Sequence, residues 1–329
     1  AITKNTIIIF QVRPLTAIHY KNYKKISQYV KKQIEKNEKK FEFILKSTKQ
    51  NNLIFSNMTD WNPAEIIGEK PKNLDYSLYD FLIMKSSWNK GRIILGYNNV
   101  EKHLMENFSG RGYVNVVASF ESLIPKSINN KIQRKLLTYY LKKLKNNPEF
   151  HDKVEFDILF TCYDFNIKKR LLELKKFGLS RQDRNDLKNH MLKFTNGLIE
   201  RTPEILSHIT KSLEELERKR LEKNNFKGNY NEKFSNAFSL LKDCRDLGAI
   251  QFSAIARLAF VSTILLRTIS DVSKMKKNEI EQIMNSISTP VSEFKNDLGR
   301  LHKKEITQKY FLLKYGVENS KKPCFIRFF

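Results

Sequence analysis

Leu247-Gly248-Ala249-Ile250-Gln251-Phe252-Ser253-Ala254-Ile255-Ala256-Arg257-Leu258-Ala259-Phe260-Val261-Ser262-Thr263-Ile264-Leu265-Leu266 is the most apolar stretch of this 329-residue chain, and its reading decides the class of fold. It has about the length of a membrane span. Gln251, Ser253 and Arg257 interrupt the run, however, and Arg267 follows it. Such groups are costly against lipid but tolerated in a protein core when they find partners. The stretch therefore reads as a buried helix, and no membrane span is expected.

Outward from this helix the pattern stays helical. Glu232 to Leu247, Ile250 to Val272 and Asn278 to His302 each predict a helix, and Thr202-Pro203-Glu204 starts another with Pro in its first turn. Ser180 with Asp183 resembles a capping box opening a helix to about Ile199, and Asn166 to Phe177 is a helix stopped by Gly178. Residues 131–147 form a further helix ended by Pro148. Strands are few. Val154 to Phe160 alternates apolar and acidic residues, as in a half-buried strand, and Tyr113 to Phe120 reads as a second strand. From Leu53 to about Ser127 short elements, turns and aromatic residues prevail, and Trp61 and Trp88 both lie there. Residues 20–49 predict an amphipathic helical connector. Thr6 to Val12, closed by Pro14, reads as a strand buried on both faces with no partner strand nearby. The fold class expected is α+β, predominantly helical, with a small number of strands.

Composition excludes several classes. The chain is 40% hydrophobic and contains only 11 Gly and 8 Pro, which rules out global disorder and collagen-like or linker-like sequence. Cys162, Cys244 and Cys324 are too far apart for a CxxC pair and odd in number, so a disulfide framework is not expected and a reducing, cytoplasmic location is. The 60 Lys+Arg against 35 Asp+Glu give +25. Of those basic residues 45 are Lys, scattered over most segments. A solvated basic surface, with no specific nucleic-acid partner, is the expectation. Six histidines show no metal-ligand spacing, and GxSxG, GxxxxGK[ST] and GxGxxG motifs are all missing from the sequence.

The densest polar cluster is Thr59-Asp60-Trp61-Asn62-Pro63-Ala64-Glu65. Two readings stand. Asp60 or Asn62 caps a short helix with Pro63 first and Glu65 favouring its dipole. Alternatively, a tryptophan, two carboxylates and an amide on one turn stack against a small substrate and hydrogen-bond it.

Two places carry a family likeness. Ile9-Phe10-Gln11-Val12-Arg13-Pro14-Leu15-Thr16 resembles the strand that closes the ATP-grasp domain of phosphoenolpyruvate-synthase-like phosphotransferases. Thr59-Asp60-Trp61-Asn62-Pro63-Ala64-Glu65-Ile66-Ile67-Gly68, with Ser77-Leu78-Tyr79, Gly96-Tyr97, Phe120-Glu121-Ser122-Leu123-Ile124-Pro125 and His151-Asp152-Lys153-Val154-Glu155-Phe156, is similar to the central region of a subgroup of that family. The subgroup includes proteins similar to a glutamine kinase of capsule modification.

The resemblance implies a division into 1–16, the end of an ATP-grasp domain; 17–52, a helical connector; 53–165, a mixed α+β central domain; 166–316, a helical subdomain; and 317–329, a divergent tail. It implies ATP and Mg²⁺ as cofactors, with Gln11 and Arg13 approaching phosphate and metal. It also implies a phosphohistidine relay from ATP to a small-molecule phosphoryl acceptor, L-glutamine being one example. Asp60, Trp61, Asn62 and Glu65 are the acceptor-binding candidates. The phosphohistidine motif and the acidic metal ligand of the family have no counterpart in the sequence. The expectation is thus a central region that relies on ATP-grasp and phosphohistidine domains in cis or in trans and is inactive alone. The competing reading is a non-enzymatic basic helical module that binds RNA or another polyanion.

Overall fold

A computed structural model describes residues 2–3, 6–7, 23–48, 53–58, 60–224, 226–273, 275–287 and 289–315. The chain falls into two compact units, 1–51 and 52–329. In the first, β1 (Ile2–Thr3) pairs antiparallel with β2 (Thr6–Ile7), Ile2 opposite Ile7. The strand expected over Thr6 to Val12 thus has a partner just before it; its remainder lies outside the described residues, as do Gln11 and Arg13. The expected connector is helical, as α1 (Tyr23–Thr48).

The second unit begins with β3 (Phe55–Ser56), α2 (Pro63–Ile66) and α3 (Asn73–Tyr79), which runs on as a π-helical turn, Asp80–Met84, before α4 (Ser87–Ile94). β4 (Met105–Phe108) and β5 (Arg111–Asn115) follow as a hairpin, Phe108 opposite Arg111. Its two-residue loop has Ser109 at φ 53° and Gly110 at φ 83°. Positive φ at both positions is what a type I′ turn needs, hence glycine at the second. The sheet is antiparallel in the order β3-β5-β4.

β5 ends earlier than the sequence pattern suggests. The Asn115 side chain accepts from Ala118 N at 3.1 Å and caps α5 (Val116–Glu121), so only the first part of Tyr113 to Phe120 is strand. Every residue from Val116 to Phe120 is buried, and a short apolar run hidden on all sides has no period to distinguish helix from strand.

Next come α6 (Asn130–Asn146), capped by Asn129 and stopped before Pro148 as expected, and a 3₁₀ turn, Pro148–Asp152. The predicted strand Val154 to Phe160 is instead α7 (Val154–Asp157) followed by buried Ile158, Leu159 and Phe160. The alternation misleads because Glu155 does not face water: it is 1% exposed and has a buried cationic partner.

The helical remainder is α8 (Ile167–Glu173) with a 3₁₀ turn to Phe177, α9 (Arg181–Asn224), α10 (Tyr230–Asp243), α11 (Ile250–Ile269), α12 (Lys277–Ser286), α13 (Pro290–His302) and α14 (Gln308–Tyr315). The Ser180 and Asp183 capping box is present, each side chain meeting the other's backbone N–H at 3.0 Å. Three sequence expectations change. Pro203 lies inside α9 and does not divide it, because Leu198, Ile205 and Ile209 on either side are buried in one core. α10 and α11 join through a π-helical turn, Cys244–Ala249, with no break at Gly248. Asn278 to His302 is two helices, since Pro290 opens α13 behind a Thr289 cap.

The apolar stretch forms α11 with its polar residues inward: Gln251, Ser253 and Arg257 are all under 5% exposed. Ala254, Leu258, Val261 and Ile264 pack beside Leu95, Tyr97 and Leu198. α4 crosses α11 with Gly91 at the crossing, where a Cβ would lie 2.6 Å from Ile250 O and 2.7 Å from Ala254 N. Ser253 Oγ donates to Trp88 O at 2.8 Å across the same crossing. By length and composition the continuous helical run Tyr230–Ile269 is also apolar enough to cross a membrane, and 44% of its most apolar window is buried in this fold.

Candidate functional site

The turn before α2 is built by three local devices. Asn62 Oδ1 accepts from Ala64 N at 3.1 Å, and Pro63 fills the first helical position, where no N–H is required. Trp61 sits at φ 60°, a left-handed conformation that a bulky residue adopts at a cost of about 1–3 kcal/mol. Tyr79 OH, donating to Trp61 O at 3.0 Å, helps hold it there. The Trp61 side chain is 8% exposed and meets the Phe252 ring edge-on, centroids 5.7 Å apart.

This backbone turn directs Asp60 inward, onto two buried guanidinium groups. Arg92 of α4, 1% exposed, pairs through Nη2 with Asp60 Oδ2, and its Nη1 donates to Ser122 Oγ and to Ser119 O. Arg257 of α11, 2% exposed, places Nη2 at 3.7 Å from the same Asp60 oxygen and 3.4 Å from Glu155 Oε1. Each guanidinium also lies over a ring, Arg92 over Trp88 at 5.0 Å and Arg257 over Phe260 at 4.5 Å. Two cations and two carboxylates make the cluster neutral overall, the condition under which buried charge is tolerated.

Burial pushes Glu155 above the usual carboxylate range; Arg257 opposes the rise and the Asp60 charge adds to it. Burial likewise raises the phenols of Tyr79, next to Asp60, and Tyr97, whose hydroxyl donates to Thr161 O at 2.8 Å. Arg257 Nη1, Glu155 Oε2, Trp88 Nε1 and Gln251 Oε1 are buried without a hydrogen-bond partner. Such groups retain unused capacity for a ligand or for an altered hydrogen-bond arrangement.

Of the acceptor-binding candidates, the structure brings Asp60, Trp61, Asn62 and Glu65 together on this one turn, in different settings. Asp60 is locked by guanidinium groups, Trp61 is packed, Asn62 caps α2, and Glu65 is exposed in the first turn of α2. The structure adds Arg92, Ser122, Glu155 and Arg257, which sequence reasoning did not select. Arg257 had left a signal, since an arginine in the middle of an apolar helix needs a buried anion. Arg92 left none.

Among the described residues no group of three or more His, Cys, Asp or Glu is placed to hold a metal ion. The residues that the resemblance assigns to ATP and Mg²⁺, Gln11 and Arg13, lie outside the described residues. Cys162 is buried, its thiol pushed up to about 12 by that burial, and Cys244 is exposed; both are free thiols. Compared with protein-family models, curated proteins and solved structures, the chain matches none.

Proposed function

We propose that this chain is the acceptor-side region of an ATP-dependent phosphotransferase, one that passes a phosphoryl group by way of a phosphohistidine to a small molecule such as L-glutamine. One observation carries the reading. Separate stretches that resemble the family converge on a single buried network: Asp60 and Trp61 from the turn, Tyr79 from the end of α3, Ser122 and Glu155. Arg92 and Arg257 tie most of these together. Scattered sequence motifs that meet at one place in the fold are expected when they serve one site.

The chemistry fits as well. Two buried guanidinium groups hold Asp60 and so fix the turn that carries the acceptor-binding candidates, the rigidity that transfer demands. Within this reading Asp60 and Asn62 hold the turn, Trp61 forms one wall, and exposed Glu65 orients the acceptor's amide or amine. ATP and Mg²⁺ belong to domains in cis or in trans.

Calorimetric titration of the chain with L-glutamine and with a panel of small amides and amines tests the reading, alongside Glu65→Gln. Saturable binding of a member of the panel, weakened about tenfold by Glu65→Gln, is expected for an orienting carboxylate. No binding across the panel, combined with tight and sequence-selective RNA binding that survives about 0.2 M salt, would instead support the polyanion-binding alternative.

A further inference from the structure

α10 carries its polar side inward and its aromatic side outward. Against α9, Asn236 Nδ2 donates to Lys223 O at 3.2 Å, Lys223 Nζ to Ser239 Oγ and Asp243 Oδ2 at 2.7 Å each, and Lys219 Nζ to Asp243 Oδ1 at 3.0 Å. On the other side Tyr230 is 82% exposed, Phe234 67% and Phe238 45%. Their four-residue step sets them on one helix face. Phe226, just before the helix, is 45% exposed, and the far end of the stripe touches Phe81, ring centroids 5.9 Å apart. No residue of α10 is buried. The rings therefore form a ridge along the outward side of α10.

Exposed Lys227, Lys233 and Lys242 flank the ridge, Lys242 Nζ lying 4.8 Å over the Phe238 ring. The one acidic residue between 226 and 242, Glu232, is tied into the α10 cap by Asn229 N at 2.8 Å. An aromatic ridge with a basic margin, in a chain of net charge +25, complements a surface that is apolar beneath and anionic at its rim. A second copy of the chain does not fit, since self-pairing would set lysine margin against lysine margin.

We propose that the α10 ridge docks on an anionic lipid bilayer. The helix lies in the interfacial plane, its rings at the boundary between headgroups and acyl chains and its lysines at the lipid phosphates. The ridge occupies the first fourteen residues, about 21 Å, of a helical run whose continuation, α11, is packed in the core through Ala254, Leu258 and Val261, so the ridge meets the bilayer side-on. This inference is independent of the phosphotransferase reading.

Co-sedimentation of the full chain with vesicles tests it, using phosphatidylcholine alone and phosphatidylcholine mixed with phosphatidylglycerol. The chain is expected to bind the mixed vesicles, to ignore the neutral ones and to be released by high salt. Phe234→Ser combined with Tyr230→Ser should weaken binding about tenfold with an unchanged circular dichroism spectrum, because exposed side chains leave no cavity. Lys227→Glu combined with Lys233→Glu should weaken binding and flatten its salt dependence. Three results would overturn the proposal: no binding to mixed vesicles, binding untouched by the aromatic substitutions, or retention on vesicles through a high-salt wash. Concentration-dependent dimerisation abolished by Phe234→Ser, without lipid binding, would assign the ridge to a second copy.

Discussion

Arg92→Met is the most informative single change. It removes the guanidinium that pairs with Asp60 Oδ2 and donates to Ser122 Oγ, while keeping an apolar stem against Trp88. The Asp60 carboxylate, 13% exposed, is then left with Arg257 at 3.7 Å, beyond hydrogen-bonding distance. Breaking one side of a buried ion pair costs about 3–5 kcal/mol, a large part of the roughly 5–15 kcal/mol that holds a domain folded. Removing both partners leaves the Arg257 and Glu155 pair neutral, so Arg92→Met with Asp60→Leu should recover part of the loss. The coupling expected for groups in direct contact is about 0.5–3 kcal/mol. Urea unfolding at constant m measures both values. A cost below about 1 kcal/mol for Arg92→Met, or strict additivity in the double variant, would refute the claim that this network anchors the turn.

Two further outcomes follow from the same structure. Gly91→Ala sets a Cβ against the backbone of α11 at Ile250 and Ala254, which cannot give way as a side chain can, so a loss at the upper end of about 1–3 kcal/mol should appear in the same unfolding experiment. His103 is pushed up to about 9 by hydrogen bonds to Asp80, at 2.6 Å, and to Glu106, with burial opposing. Since the folded value lies above the ordinary value near 6.5, the stabilisation is complete below about pH 6.5 and is lost as pH rises through 9. Unfolding midpoints measured across that window should fall in the native chain, and His103→Gln should flatten the profile.

Much of the fold was legible in the sequence, for identifiable reasons. Side-chain caps acting over three or four residues, as at Asn62 and the Ser180 and Asp183 box, are local and leave local signatures. What stayed hidden was set by distant partners. Glu155 mimics a solvent-facing residue of a strand until Arg257, more than a hundred positions away, is seen beside it. Pro203 signals a helix start, yet the buried residues flanking it keep α9 continuous. Val116 to Phe120 lies hidden on every side and so carries no period. The site divides in the same way: the Asp60 to Glu65 turn could be read directly, whereas Arg92 and Arg257 acquire meaning only once α4 and α11 cross.

The most direct test of the proposed function follows labelled phosphoryl through a complete enzyme that carries this region, with its ATP-grasp and phosphohistidine domains in cis or in trans. Glu65→Gln is the variant of choice, because Glu65 is exposed and takes no part in the buried network. Histidine phosphorylation from ATP should proceed unchanged, while transfer to the small-molecule acceptor falls at least about tenfold, equivalent to about 1.4 kcal/mol of transition-state stabilisation. Normal transfer in Glu65→Gln, or loss of both half-reactions together with thermal stability, would contradict the assignment of this turn to the acceptor.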